Sequence, residues 1–85
     1  MPRVYLHASE YKTLWNVQYL EADLRTPVRR GHATYTSLDR VREILDRANA
    51  SAEAREEFES GLRNWGIGAC FLDLTPEQYA KLKKS

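Results

Sequence analysis

The chain has 85 residues, of which 42% are hydrophobic, 11% aromatic and 29% charged, and its formal net charge at pH 7 is +1. This length predicts one domain with one modest core, and the aromatic content argues against an intrinsically disordered chain. The near-neutral charge excludes a strong general attraction to nucleic acid or to a membrane surface.

The sequence contains one cysteine, Cys70, and therefore predicts neither an internal disulfide nor a thiolate metal cluster. The N-terminus shows no secretory signal pattern, and the longest strongly apolar stretch, residues 67–72, is far too short to span a bilayer. We therefore expect a cytoplasmic protein that has no cofactor and no membrane partner.

The first part of the chain predicts strands. Arg3 to His7 alternates apolar and polar residues, and a turn is expected over residues 8–10. Tyr11 to Glu21 has two interpretations. A period of two favours a strand with β-forming residues on one face, namely Tyr11, Thr13, Trp15, Val17 and Tyr19. A helix stays open as the alternative because Ser9 and Glu10 form an acceptable helix start.

The middle of the chain predicts a loop, a short strand and a helix. Residues 23–31 include Pro27, Gly31 and three arginines, a composition typical of a loop, and residues 33–36 alternate as a third strand does. Ser37 is suited to cap the helix that follows. The apolar residues of this helix recur at helical spacing, at Leu38, Val41, Ile44, Leu45 and Ala48.

The last part of the chain predicts a second helix, a fourth strand and a third helix. Ser51 and Gly66 fit the two ends of the second helix, whose apolar stripe consists of Ala54, Phe58, Leu62 and Trp65. Residues 67–74 form the fourth strand. Residues 75–78 have the pattern of a capping box with proline at the first helical position, so a short helix should run to about Lys83.

The predicted order is β-β-β-α-α-β-α, and residues 1–85 form a single α+β domain. Three consecutive strands followed by helices indicate a mainly antiparallel sheet of about four strands, with two to three helices packed on one face. If residues 11–20 are instead helical, the order begins β-α-β and approaches a ferredoxin-like arrangement.

No catalytic motif is visible, so we predict that the protein is not an enzyme. Cys70 alternates with Leu72 and Leu74, which predicts a buried, unreactive thiol. The histidines, His7 and His32, are not at metal-ligand spacing. Across neighbouring strands they could still meet Cys70 as a nucleophile and its base, which is the enzymatic alternative.

Basic residues gather in the predicted loop and at the C-terminus. Arg25, Arg29, Arg30 and His32 are the candidate anion-binding or partner-binding residues, because arginine favours bidentate recognition of phosphate and carboxylate. Basic residues together with sheet aromatics are what single-stranded nucleic acid requires. A nucleic-acid-binding accessory protein that uses the loop 25–32 is therefore the alternative function. The acidic residues of the second helix are typical of a solvated face.

Aromatic residues carry the main functional prediction. Helices cover one face of so small a sheet, so the other face should carry either Tyr5, Leu14 and Leu20 or the tyrosine and tryptophan set. Aromatic residues are enriched at protein interfaces. The sequence therefore predicts a non-catalytic protein-binding module that self-associates as a homodimer or binds another protein. The candidate interface residues are Tyr5, Tyr11, Trp15 and Tyr19.

Overall fold

The computed structural model describes residues 1–29 and 34–84. Its elements follow the predicted order of three strands, two helices, a strand and a helix. They are β1 (Arg3–Tyr11), β2 (Leu14–Glu21), β3 (Thr34–Thr36), α1 (Leu38–Arg47), α2 (Ala52–Trp65), β4 (Ile67–Asp73) and α3 (Pro76–Lys84). The predicted α+β class is confirmed.

The four strands form one antiparallel sheet in the order β3-β2-β1-β4. β1 and β2 are the inner strands, and β1 pairs with β2 across a hairpin and with β4 from the far end of the chain. The ferredoxin-like alternative does not occur, because the chain passes from β1 to β2 through a two-residue turn and not through a helix.

This turn corrects the predicted strand boundaries. β1 continues through the expected turn at residues 8–10 and ends at Tyr11, which pairs with Leu14. Lys12, in the turn, has a φ of 55°, a left-handed conformation that glycine and asparagine adopt more readily. Because Lys12 and Thr13 lack the usual hairpin residues, the sequence gives no turn signal here.

Alternate residues of the strands face the helices and form the core. Val4, Leu6 and Ala8 of β1 are fully buried between Val17 of β2 and Cys70 of β4. The other core members are Val28, Val41, Leu45, Phe58, Leu72 and Leu74. We call this side of the sheet the core face.

The helix ends form as their local sequences predict. The side chains of Ser37 and Ser51 accept hydrogen bonds from the backbone N–H groups of Arg40 and Ala54. Gly66 ends α2 with a φ of 71°. The capping box of α3 is complete: the backbone N–H of Gln78 donates to Oγ1 of Thr75, and the backbone N–H of Thr75 donates to Oε1 of Gln78.

Two predicted assignments need correction. Trp65 was expected in the apolar stripe of α2, but its side chain is 79% exposed because it lies in the last turn of the helix. The predicted loop 23–31 is also partly paired. The backbone N–H of Val28 donates to the Tyr19 carbonyl, and Val28 is buried in the core. No helix in the described part of the chain combines the length and the apolar character that crossing a bilayer requires.

Candidate interaction surface

The side of the sheet opposite the core face, called the open face below, is covered by none of the three described helices. The strand registers place alternate residues of each strand on it. Its members are Arg3, Tyr5, His7, Ser9 and Tyr11 of β1; Leu14, Asn16, Gln18 and Leu20 of β2; Tyr35 of β3; and Ile67, Ala69, Phe71 and Asp73 of β4.

The open face is almost free of charge. Within the described residues, its aspartate, glutamate, lysine and arginine side chains are just Arg3 and Asp73, which lie at one corner of the sheet. Arg3 Nε and Asp73 Oδ1 are 3.8 Å apart, so the two charges largely compensate each other. A sheet face without net charge is unusual surface in a chain that is 29% charged.

Two aromatic pairs lie on the open face. The rings of Tyr5 and Phe71 meet edge to face with centroids 4.9 Å apart, and those of Tyr11 and Tyr35 are tilted with centroids 5.3 Å apart. A cation accompanies each pair: the guanidinium carbon of Arg3 lies 4.4 Å from the centroid of Phe71, and Nζ of Lys12 lies 5.6 Å from that of Tyr11. Such contacts hold the rings in defined positions.

The most exposed apolar side chains collect where the hairpin turns. Tyr11, Leu14, Tyr35 and Ile67, which we call the hairpin-end patch, have relative exposures of 51%, 43%, 49% and 39%. Trp65 lies two residues before Ile67 and is exposed as well. Contiguous exposed apolar surface is a usual mark of an interaction site.

A buried polar atom lies within the same face. Asn16 pairs with Ser9 on one side and Tyr35 on the other. Its Oδ1 atom is buried and accepts no hydrogen bond from the described residues.

The candidate interface residues fall on both faces of the sheet. Tyr5 and Tyr11 lie on the open face, but Trp15 and Tyr19 lie on the core face and pack against the core. Burial raises the pKa of Tyr19 to about 12. The turn at Lys12 explains the separation, because it takes Tyr11 out of the strand that carries Trp15 and Tyr19.

The basic loop is described only in part. Arg25 is exposed and follows a turn in which Asp23 accepts hydrogen bonds from the backbone N–H groups of Arg25 and Thr26. Arg29 is half-buried, and within the described residues neither arginine forms an ion pair. Arg30 and His32 lie outside the described residues.

Cys70 and His7 are on opposite faces of the sheet, so His7 is not placed to act as a base for the thiol. Cys70 is fully buried, as predicted. Burial, with a smaller contribution from the Glu57 carboxylate, raises the pKa of this thiol to about 11. A thiol that holds its proton this strongly is a poor nucleophile near neutral pH.

Sequence reasoning missed Tyr35, Ile67 and Phe71 as members of the open face, because no local pattern brings them together. Only the pairing of β3 with β2 and of β4 with β1 does so. In the described part of the chain, no three histidine, cysteine, aspartate or glutamate side chains are grouped as a metal site needs. Comparison with protein-family models, with curated proteins and with solved structures found no match.

Proposed function

We propose that the protein is a small, non-catalytic protein-binding module that self-associates through its open face. The observation that carries this proposal is the hairpin-end patch, in which four large apolar side chains are exposed on an uncharged sheet surface. Burying that surface against a second apolar surface removes it from water, which is the main driving force of association.

The size of the open face fits a modest interface. Four strands spaced about 4.8 Å apart and up to nine residues long span roughly 15 by 30 Å. Two such faces in contact would bury on the order of 1,000 Å² in total, which lies at the lower end of specific interfaces. We therefore expect a reversible homodimer whose mass depends on protein concentration.

A two-fold symmetric dimer suits this surface. In such a dimer each patch meets a copy of itself, so a surface with one charge sign would repel its partner. The open face largely avoids this penalty because Arg3 and Asp73 compensate each other, which leaves Lys12 of the turn as the cation at its margin. Tyrosines supply large contact area with few rotatable bonds, and four of the rings on this face are already held in pairs.

The test is the mass of Leu14→Glu in solution, because this change places a charge within the hairpin-end patch. Leu24→Glu is the matched control: Leu24 is similarly exposed, at 48% against 43%, but lies in the turn after β2. Light scattering over a range of concentrations should show a dimer for the natural chain and for Leu24→Glu, and a monomer for Leu14→Glu. A monomeric natural chain at high concentration would refute self-association.

The alternative proposal, binding of single-stranded nucleic acid, has its own supporting observation. Glu21 connects the basic loop to the basic end of α3: its backbone N–H donates to the carbonyl of Thr26, the residue after Arg25, and its carboxylate accepts from the Tyr79 hydroxyl over 2.6 Å. Nζ of Lys83 lies 5.3 Å from the centroid of the Tyr79 ring. Basic groups at one edge and exposed tyrosine rings on the open face, on which bases can stack, are the two parts of such a site. Salt-sensitive binding of single-stranded DNA or RNA that is lost in Arg25→Gln/Arg29→Gln, with unchanged mass, would establish this function instead.

A further inference from the structure

We propose that the free edge of β4 binds an extended peptide segment that carries basic side chains, by adding it to the sheet as a fifth strand. The proposal concerns the edge of the sheet and the start of α2. This site shares Arg3, Phe71 and Asp73 with the open face but does not require self-association.

The register of the ladder shows which backbone groups of β4 point outward. The backbone N–H of Leu74 donates to the Pro2 carbonyl over 2.8 Å, which makes residues 2 and 74 a hydrogen-bonded pair. Hydrogen-bonded and non-hydrogen-bonded pairs alternate along an antiparallel ladder. Ala69, Phe71 and Asp73 therefore belong to non-hydrogen-bonded pairs with β1, and their N–H and C=O groups are directed away from it.

These outward groups are unsatisfied within the described chain. No described backbone or side-chain group forms a hydrogen bond with Ala69, Phe71 or Asp73 at this edge. At Ile67 the edge is closed, because its carbonyl oxygen lies directly against Gly61 of α2. The accessible part of the edge therefore extends from Ala69 to Asp73, a length of about 14 Å.

The edge lacks the features that usually protect an exposed strand. Native edges are shortened, bulged, interrupted by proline or charged. β3, at the opposite edge of the sheet, has three residues, and the neighbouring segment that pairs with β2 contains Pro27. β4 has seven residues without proline, and its charge is limited to the terminal Asp73.

A cleft of about 210 Å³ lies beside the open part of the edge. One wall is formed by Phe71, Leu72 and Asp73 of β4, and the other by the start of α2 with Glu53 and Glu57. A chain paired with β4 would place one of its side chains against this cleft. The volume suits a single large side chain.

The charge at the cleft selects a basic segment. Three carboxylates, those of Glu53, Glu57 and Asp73, line it together with one cation, Arg3. Arg3 is engaged by Asp73 and by the ring of Phe71, whereas Glu53 and Glu57 form no ion pair with a described residue. Burial raises the pKa values of Tyr5 and Cys70, and the Glu57 carboxylate adds to both shifts.

A second copy of the chain fits this edge poorly. Pairing two β4 edges would place two clefts in one interface, each with three carboxylates and one cation, and like charges oppose such a contact. A strand with lysine or arginine side chains at alternate positions avoids this repulsion and supplies the missing cations. It would also satisfy the outward N–H and C=O groups, as in other strand-addition complexes.

The probe for this edge is a seven-residue peptide of alternating lysine and valine, capped at both ends. Titration into ¹⁵N-labelled full-length chain should shift the backbone amide signals of Ala69, Phe71 and Asp73 and slow their hydrogen exchange. The titration is repeated on Leu14→Glu, the variant designed to prevent association through the open face. Peptide binding by this variant would show that the edge acts without self-association, so the two proposals can fail separately. A peptide with glutamate in place of lysine, and one with proline in place of the central valine, should bind at least about tenfold more weakly, a difference of about 1.4 kcal/mol.

Variants of the chain test separately the backbone groups of the edge and the charge of the cleft. Ala69→Pro removes one outward N–H but leaves the ladder to β1, whereas Ala69→Val keeps the donor and serves as its control. Glu53→Gln/Glu57→Gln removes the charge without changing the backbone, and it should weaken binding several-fold and reduce its dependence on salt. Equal binding of the lysine and glutamate peptides, shifts confined to other residues, or no shifts at millimolar peptide would overturn the proposal. Shifts of the same amides on dilution of the chain alone would assign the edge to a second copy.

Discussion

Individual glycines set how closely α2 approaches β4. A Cβ atom on Gly61 would overlap the carbonyl oxygen of Ile67, and one on Gly68 would overlap the ring of Phe58. Phe58 is fully buried, so its ring has little room to move away. These two positions therefore require glycine because of a close approach, although neither lies in a turn.

We expect Gly61→Ala to destabilise the protein, contrary to its effect in an ordinary helix. In an exposed helix interior this change stabilises by about 1 kcal/mol, because alanine has the higher helix propensity. At Gly61 the new methyl group meets a backbone oxygen that cannot rotate away, and separating α2 from β4 loses core contacts worth about 1–3 kcal/mol. Urea unfolding measures the change.

Asn64→Ala is the matched control for this prediction, since Asn64 lies one turn further along the same helix and is exposed. It should change the free energy of unfolding by less than about 0.5 kcal/mol. A Gly61→Ala variant as stable as the natural chain would show that α2 and β4 can separate without cost.

At the scale of elements, the sequence predicted those parts whose signals are local. The caps at Ser37, Ser51 and Gly66 and the capping box of residues 75–78 each depend on a few neighbouring residues, and each is confirmed. The β1–β2 turn was not predicted because neither of its residues is one that turns favour.

Local sequence signals could not assign the candidate interface residues to one face of the sheet. Both faces of β2 carry large apolar side chains, so sequence alone could not decide whether Leu14 and Leu20 or Trp15 and Tyr19 face the helices. The structure assigns Trp15 and Tyr19 to the core face. Tyr35 and Ile67 join the open face through strand pairs that are distant in sequence, for which no local pattern exists.

The conformation of Lys12 gives a prediction for the hairpin. A left-handed conformation costs a residue with an ordinary side chain about 1–2 kcal/mol, and asparagine less. Lys12→Asn should therefore raise the free energy of unfolding by up to about 1 kcal/mol. Lys12→Ala keeps most of the cost and should give no gain. Equal stability of the two variants would mean that the turn relaxes without cost.

At the scale of the whole molecule, the two faces and two edges of the sheet have different roles. The core face holds the stability of the domain, the open face presents uncharged aromatic surface, and the β3 edge is short. The β4 edge is long and unprotected. Its accessible segment lies at the acidic end of α2. Arg25 and Arg29 lie at the opposite edge of the sheet. The proposed peptide-binding edge and the basic loop are therefore on different sides of the sheet.

The ionisable groups of the core predict a loss of stability at alkaline pH. The pKa of Cys70 is raised from 9.0 to about 11 and that of Tyr19 from 10.0 to about 12, in both cases mainly by burial. The pKa of Tyr79 is raised by its hydrogen bond to the Glu21 carboxylate. Each group holds its proton more firmly in the folded chain than in the unfolded chain, so its contribution is complete below the unfolded pKa and is lost as the pH rises through the folded pKa.

The free energy of unfolding should therefore be level from neutral pH to about pH 8.5 and fall above pH 9, where the unfolded chain has lost the Cys70 proton that the folded chain keeps. Linkage sets the slope at about 1.4 kcal/mol per pH unit for the Cys70 thiol. Urea unfolding at a series of pH values measures it.

Cys70→Ala will be less stable at neutral pH because it leaves a small cavity, but its profile should start to fall about one pH unit later, when the tyrosines begin to titrate. Parallel profiles for the two proteins between about pH 9 and pH 10 would show that the Cys70 thiol titrates equally in the folded and the unfolded chain, and hence that β4 does not shield it from water.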